Sequence, residues 1–350
     1  MISMPVPRST KLSIAVGVLF VLLAVTLRFF LVPAASKMPD DLDVTLRYEG
    51  AGTMLNPTAL QAGDLANVVA TNVPVSVDRH VYVSSVDGNT AITHDDLTVE
   101  APGGVSLPSN HTYALDRTTM DSAPAPDGVE VEPHAGLTVG WPMDPNPDAG
   151  YALYDFATRT TAPMTFAGEG SVSGRDVLNY TVEAAGPLAD PNILNGLPPG
   201  MPKAQLASLA PLLPADLQAK LGAAAGSLPD PVPFNYTAVS KLALSTDKTL
   251  GTPADGSLNL QVIANVELGG ENVSVMPVLA LDTQLTDQSV ADAAATASTV
   301  DKLLTLMGVV VPLGSALIGL ILIVTGLLRL RKRPPTQSTP HRDPESLGAR

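Results

Sequence analysis

Residues 303–328 read LLTLMGVVVPLGSALIGLILIVTGLL, 26 positions without a charge, and are closed by RLRKR at 329–333. As one helix this run reaches roughly 39 Å, more than the ~30 Å hydrocarbon core of a bilayer, so it is long enough to span with some tilt. The basic block behind it predicts a cytoplasmic end, because Lys and Arg beside a span resist translocation. Residues 329–350, with little apolar content, read as a basic disordered cytoplasmic tail.

A second apolar segment at residues 12–32, interrupted only by Arg28, follows a short leader that carries Arg8 and Lys11. Its length exceeds an ordinary signal-peptide core and Pro33 sits badly in a cleavage site, so an uncleaved transmembrane helix is expected, with residues 1–11 cytoplasmic. Both termini then lie in the cytoplasm of a plasma-membrane protein, and residues 33–302 form one extracytoplasmic domain. From Lys37 to Lys302 there are 11 Lys and Arg against 32 Asp and Glu, a net of −21. An exterior so acidic argues against nucleic acid as a partner. The chain has no cysteine, which excludes disulfides and thiolate metal sites.

Within 33–302 the pattern is that of short strands. Leu42, Val44, Leu46 and Tyr48 alternate with polar residues up to Gly50-Ala51-Gly52, and Val73-Val75-Val77, Val81-Val83 and Ala91-Ile92-Thr93 follow, with Asp87-Gly88-Asn89 as a turn. In the Pro- and Gly-rich stretch 102–148 only Tyr113 to Leu115, Val129 to Val131 and Leu137 to Trp141 look extended, and the whole reads as loops crossing a sheet. Tyr151 to Glu183 carries an aromatic strand and two further strands, with Gly168, Gly170 and Gly174 at corners. Leu258, Leu260, Val262, Ala264, Val266 and Leu268 alternate up to Gly269-Gly270, and Val273, Val275, Leu279 and Leu281 return, which is a hairpin. Residues 192–228 differ: Leu206, Leu209, Leu213, Leu217 and Leu221 recur at helical steps broken by Pro211 and Pro214, so a helical insertion is expected. Thr286 is placed to cap a helix leading to the second span.

Tyr154-Asp155-Phe156, Thr160, Pro163-Met164, Gly168, Val172-Ser173-Gly174 and Asn179-Tyr180 resemble the PorA-like family of actinobacterial envelope proteins. The layout, one span near each terminus around an exterior of this size, strengthens the likeness. The resemblance implies a cell-envelope protein, and the family label suggests a channel; with only 14 aromatic residues spread over the chain, too few for the girdles of a β-barrel porin, a channel would have to come from oligomerised helices. The two-anchor plan is also analogous in architecture to the class B scavenger receptors, which bind and conduct lipids.

Candidate chemistry is sparse. Asp144, Asn146 and Asp148 alternate as calcium ligands do and Asp155 falls at position twelve, but two prolines and a displaced Gly favour a rigid turn. His80, His94, His111 and His134 are read as isolated, and Gly168-Glu-Gly170-Ser-Val-Ser-Gly174 as hairpin glycines. No nucleophile, base and orienting group can be nominated together, so no enzyme activity and no cofactor are expected.

The reading is an α+β membrane protein: an antiparallel β-rich extracytoplasmic domain with a helical insertion and one transmembrane helix near each terminus. The expected function is binding or passage of lipid or another apolar ligand, with Leu206, Leu209, Leu213, Leu217 and Leu221 as its apolar entrance. A helix-based channel, and an envelope scaffold or signalling partner, are the alternatives. Ser13, Gly17 and Ala24 on one span, and Gly308, Pro312, Ser315, Gly319 and Gly326 on the other, form stripes of small residues that allow the two to pack together.

Overall fold

The computed structural model describes residues 8–64 and 67–331. In chain order the helices are α1 (Arg8–Thr26), α2 (Val32–Ala35), α3 (Pro57–Ala62), α4 (Pro191–Asn195), α5 (Lys203–Leu209), α6 (Ala215–Ala224), α7 (Asp287–Thr305) and α8 (Val311–Arg331). The strands are β1 (Asp43–Leu55), β2 (Val69–Asp87), β3 (Thr90–Ala101), β4 (Val105–Asp116), β5 (Ala152–Asp155), β6 (Thr160–Val172) and β7 (Arg175–Pro187). After them come β8 (Gly200–Met201), β9 (Val232–Pro233), β10 (Asn235–Asp247), β11 (Pro253–Leu268) and β12 (Glu271–Leu285). The described residues divide into two compact units, 8–34 with 303–331, and those between 35 and 302.

The first unit is an antiparallel helix pair. α1 continues through a wide π turn, Leu27–Leu31, into α2, and a second π turn, Leu306–Val310, precedes α8. A Cβ added to Gly17 would sit 2.6 Å from the Gly319 carbonyl oxygen, and one on Gly319 would sit as close to that of Gly17. Gly326 abuts Ile14 and Gly308 abuts Val32 in the same way. Ala24, Pro312 and Ser315 are buried, whereas Ser13 turns its hydroxyl back to the Ser9 carbonyl at 3.0 Å. Small residues thus let the two backbones meet, as close helix packing in lipid requires. The opposite faces expose large apolar side chains, Leu19, Phe30, Leu313 and Leu317 among them. Both helical runs, Ser9–Ala35 and Asp287–Arg331, are long and apolar enough to cross a membrane. The tail beyond Arg331 lies outside the described residues.

The second unit is built on a ten-stranded antiparallel sheet in the order β4-β3-β2-β1-β12-β11-β10-β7-β6-β5. Its open edges are joined by the β4–β5 connection. Ala123 and Glu132 donate backbone hydrogen bonds to Ala114 and Thr112 of β4, while Leu137 exchanges bonds with Ala152 and Tyr154 along β5. The connection thereby lies along parts of both outer strands, and the sheet curls into an incomplete barrel around a common interior. Two apolar clusters fill the interior. One gathers Val75, Ala238, Leu260, Val262 and Leu281 beneath α5 and α6, and the other gathers Tyr113, Leu115, Trp141, Tyr154, Leu178 and Tyr180.

Several strands are longer than their patterns suggest. β1 runs through Gly50 and Gly52, because a Cβ at Gly50 would collide with the Asp282 backbone of β12 and one at Gly52 with Val75; these glycines permit close strand approach. β2 is one strand of 19 residues where two were expected. β4 occupies part of the stretch read as loops, and its Pro108 is tolerated because that strand ends the ladder. Gly168 and Gly170 lie within β6, the former at a register shift, and only Gly174 is at a corner. The Gly269-Gly270 hairpin has both glycines at positive φ.

Candidate functional site

Period-two alternation decides what the barrel encloses. Inward positions of β2, β3 and β4 carry Arg79, Asp95 and the series Ser109, His111, Tyr113, polar groups where an apolar core would be expected. Arg79 meets Asp95 in a two-point ion pair, Nε to Oδ1 at 2.8 Å and Nη2 to Oδ2 at 2.6 Å, and Nη2 also donates to the Thr138 carbonyl at 3.1 Å. Burial works against the charge on Arg79, but Asp95 more than offsets it and holds the guanidinium protonated. Burial also pushes the Tyr113 hydroxyl far up, reinforced by the Asp95 and Glu132 charges, so it stays neutral.

Beside this pair lies a cavity of about 90 Å³. Its wall includes Tyr48, Arg79, Asp95, Thr138, Trp141, Phe156, Leu242, Leu258 and Asp255. Phe156 and Leu258 also pack on the first apolar cluster, and Leu242 and Leu244 on the second, so the cavity lies between the two. Trp141 Nε1 and Thr138 Oγ1 are buried with no hydrogen-bond partner among the described residues. Both atoms are inaccessible to water, so they point away from the void although their residues line it, and His134 Nε2, Tyr180 Oη and Ser240 Oγ are buried without partners in the same way. Trp141 is held in place from behind. Its backbone N–H donates to the Gly251 carbonyl at 2.9 Å, its ring stacks on Tyr180 at 5.6 Å, and Gly251 has φ +69° with the Trp141 and Pro142 carbonyls where a Cβ would be.

A second polar chain straps the β4–β5 connection to the barrel. The Ser109 hydroxyl donates to Asp190 Oδ2 at 2.5 Å and lies 2.9 Å from His111 Nε2, and His111 Nδ1 lies 2.9 Å from Glu132 Oε2. Tyr154 and Arg159 donate to the same Glu132 carboxylate at 2.6 and 3.0 Å. Burial works to raise the Glu132 carboxyl, yet the bonds from His111 and Tyr154 and the His111 and Arg159 charges together hold it below its usual range. Ser109, His111 and Glu132 stand in the order of a hydrolytic triad, a grouping absent from the sequence reading. The Ser109 proton is committed to Asp190, however, and the hydroxyl is buried, so the geometry is that of a strap joining β4, the β4–β5 connection and the cap of α4.

The remaining singled-out residues fall as follows. Leu206, Leu209, Leu213, Leu217 and Leu221 are all buried, 1–8% exposed, facing the sheet in the first cluster, and none opens onto the surface. In the Asp144 loop, Asn146 caps a short 3₁₀ turn, and Asp155 is taken up by the Thr158 N–H and hydroxyl. The histidines join no group of side chains that could hold a metal ion among the described residues, though each packs against other rings. His80, Tyr82 and His94 stack on the outer face at 4.7 and 4.6 Å, and His111 and His134 both pack against Tyr113.

The family model for porin PorA matches residues 11–328. No curated protein matches the chain. Solved structures it is similar to include a protein assigned as a MaoC domain dehydratase from Chloroflexus aurantiacus J-10-fl, 13% identical over 77% of this chain and 80% of that one, with a TM-score of 0.14. An acyl-CoA thioesterase II from Mycobacterium marinum is 13% identical over 70% and 80%, with a TM-score of 0.12. A hypothetical protein from Mycobacterium tuberculosis with a double hotdog fold is 12% identical over 81% and 83%, with a TM-score of 0.13. Superpositions this loose carry no argument about fold or activity.

Proposed function

The chain belongs to the porin PorA family, and from that premise we propose that it is a plasma-membrane protein of the cell envelope whose barrel takes an apolar ligand into its interior. The observation that carries the reading is the cavity between two apolar clusters, with the Arg79–Asp95 pair on its wall. Ligand pockets combine mostly apolar walls with a few placed polar groups, and this interior has that make-up. At about 90 Å³ the cavity seats one end of a molecule. Phe156 and Leu258 line the cavity and also pack on the first apolar cluster, so a longer ligand would have to displace part of that cluster, and the leucines at 206–221 would line its path only then.

Two observations support placing the helix pair in a bilayer and the barrel outside the cytoplasm. Apolar side chains cover the outer faces of α1 and α8, and basic residues flank both helices while residues 37–302 carry a net of −21. The family description supports a second reading, a channel. A β-barrel pore needs an apolar outer band and an open lumen, whereas this barrel is filled and turns Glu183, Lys241 and Asn259 outward. Conduction would therefore run through assembled helices.

Native mass spectrometry of the detergent-released chain tests the first reading. Retained lipid that is lost on Leu258→Glu is the expected result; a lipid-free chain that gives unit conductances in planar bilayers would replace it with the channel.

A further inference from the structure

Resting on the ligand-binding reading, we propose that α5 and α6 form a lid, and that an apolar ligand reaches the interior by lifting them off the sheet. Residues 202–231 leave and rejoin the barrel at one point, where Gly200–Met201 pairs with Val232–Pro233 and the two backbones meet at Gly200. Among the described residues, every hydrogen bond made by 203–230 ends inside the same excursion. The Lys203 N–H donates to Asp230, its Nζ to the Ala225 carbonyl and the Gln218 amide to the Leu213 carbonyl, and no residue of the excursion forms an ion pair. Apolar contact alone therefore holds it to the sheet, through Leu206, Leu209, Leu213, Leu217 and Leu221 in the first cluster. Other helices of this unit are fixed by polar bonds. Ser109 donates to Asp190 at the cap of α4, while Arg47 N–H meets Ser289 Oγ at 3.0 Å near the start of α7 and Arg175 meets Asp301 at 2.8 Å near its end. A polar group pulled from its partner is left unmet, whereas an apolar face can exchange one apolar surface for another of different shape. An acyl chain is such a surface. Phe156 and Leu258 pack on the cluster and also line the cavity, so parting the lid from the sheet opens the cluster that adjoins the void.

The chain has no cysteine, so single introduced thiols report lid and sheet separately. Leu217→Cys lies on α6 and Val262→Cys on β11, both buried in the first cluster. In the full chain in detergent, N-ethylmaleimide should label position 217 at least about tenfold faster than position 262, because lifting the lid does not require the barrel to unfold. Saturating monoacylglycerol should speed labelling at 217 severalfold by holding the lid off the sheet, and leave 262 unchanged. Equal rates at the two positions, or a rate at 217 that the lipid leaves unchanged or lowers while native mass spectrometry shows it bound, would overturn the lid and leave the ligand-binding reading standing. A chain that binds no monoacylglycerol would instead overturn the reading on which the lid rests. Should Leu217→Cys not fold, Leu209→Cys on α5 provides the same comparison.

Discussion

Replacing Arg79 with Met strips the barrel of its buried cation while nearly conserving volume. Asp95, whose side chain is 7% exposed, then keeps a carboxylate with neither of its two Arg79 bonds, and the Thr138 carbonyl loses its bond as well. Breaking a buried pair by removing one partner costs about 3–5 kcal/mol, because the surviving charge is uncompensated. Against a domain stability of about 5–15 kcal/mol that is about a fifth of the total at the least. The chain contains one tryptophan, Trp141, which lies in the same interior, so urea unfolding followed by its fluorescence reports the barrel specifically. With a slope of about 3 kcal/mol per molar for a domain of this size, the midpoint should fall by roughly 1–1.7 M. Arg79→Met with Asp95→Leu should recover most of the loss, since an apolar pair needs no compensation. A midpoint that barely moves in the single variant, or a double variant as weak as the single, would refute the assignment of this pair as a compensated buried charge.

Three further outcomes follow from the same geometry. Glu132 titrates below its usual range in the fold, so its contribution is complete above the ordinary glutamate value near 4.3 and is lost as pH falls through the depressed one; Glu132→Gln should lower stability at pH 7 by about 1–3 kcal/mol and flatten the acid limb of a Tm-against-pH profile. Gly251→Ala places a Cβ against the Trp141 and Pro142 carbonyls at a positive φ, and calorimetry should show a loss of about 1–3 kcal/mol. Gly319→Leu forces α1 from α8, so engineered cysteines facing across Gly17 should cease to crosslink, while the Trp141 urea midpoint should stay unchanged.

Much of the frame is legible wherever the pattern is uninterrupted. The β11–β12 hairpin shows in six alternating apolar residues and two turn glycines, and the leucine period of α5 and α6 marks the insertion. The sequence misleads where inward positions are polar. Arg79 interrupts the alternation of β2 and makes one strand look like two, and Ser109 and His111 disguise β4, because their partners Asp95, Glu132 and Asp190 lie 16 to 81 residues away with no spacing to announce them. Trp141 sits in a stretch rich in Pro and Gly, and only the curled sheet shows that it lines a cavity. A polar residue recurring at inward strand positions was the available signal for both networks.

The most direct test of the account places a probe beside Trp141. The full chain in detergent is titrated with a monoacylglycerol brominated on its acyl chain, and the fluorescence of this sole tryptophan is followed. Saturable quenching that unlabelled monoacylglycerol reverses is the predicted result. Quenching that rises only in proportion to added lipid, without saturation or competition, would contradict a ligand held inside the barrel.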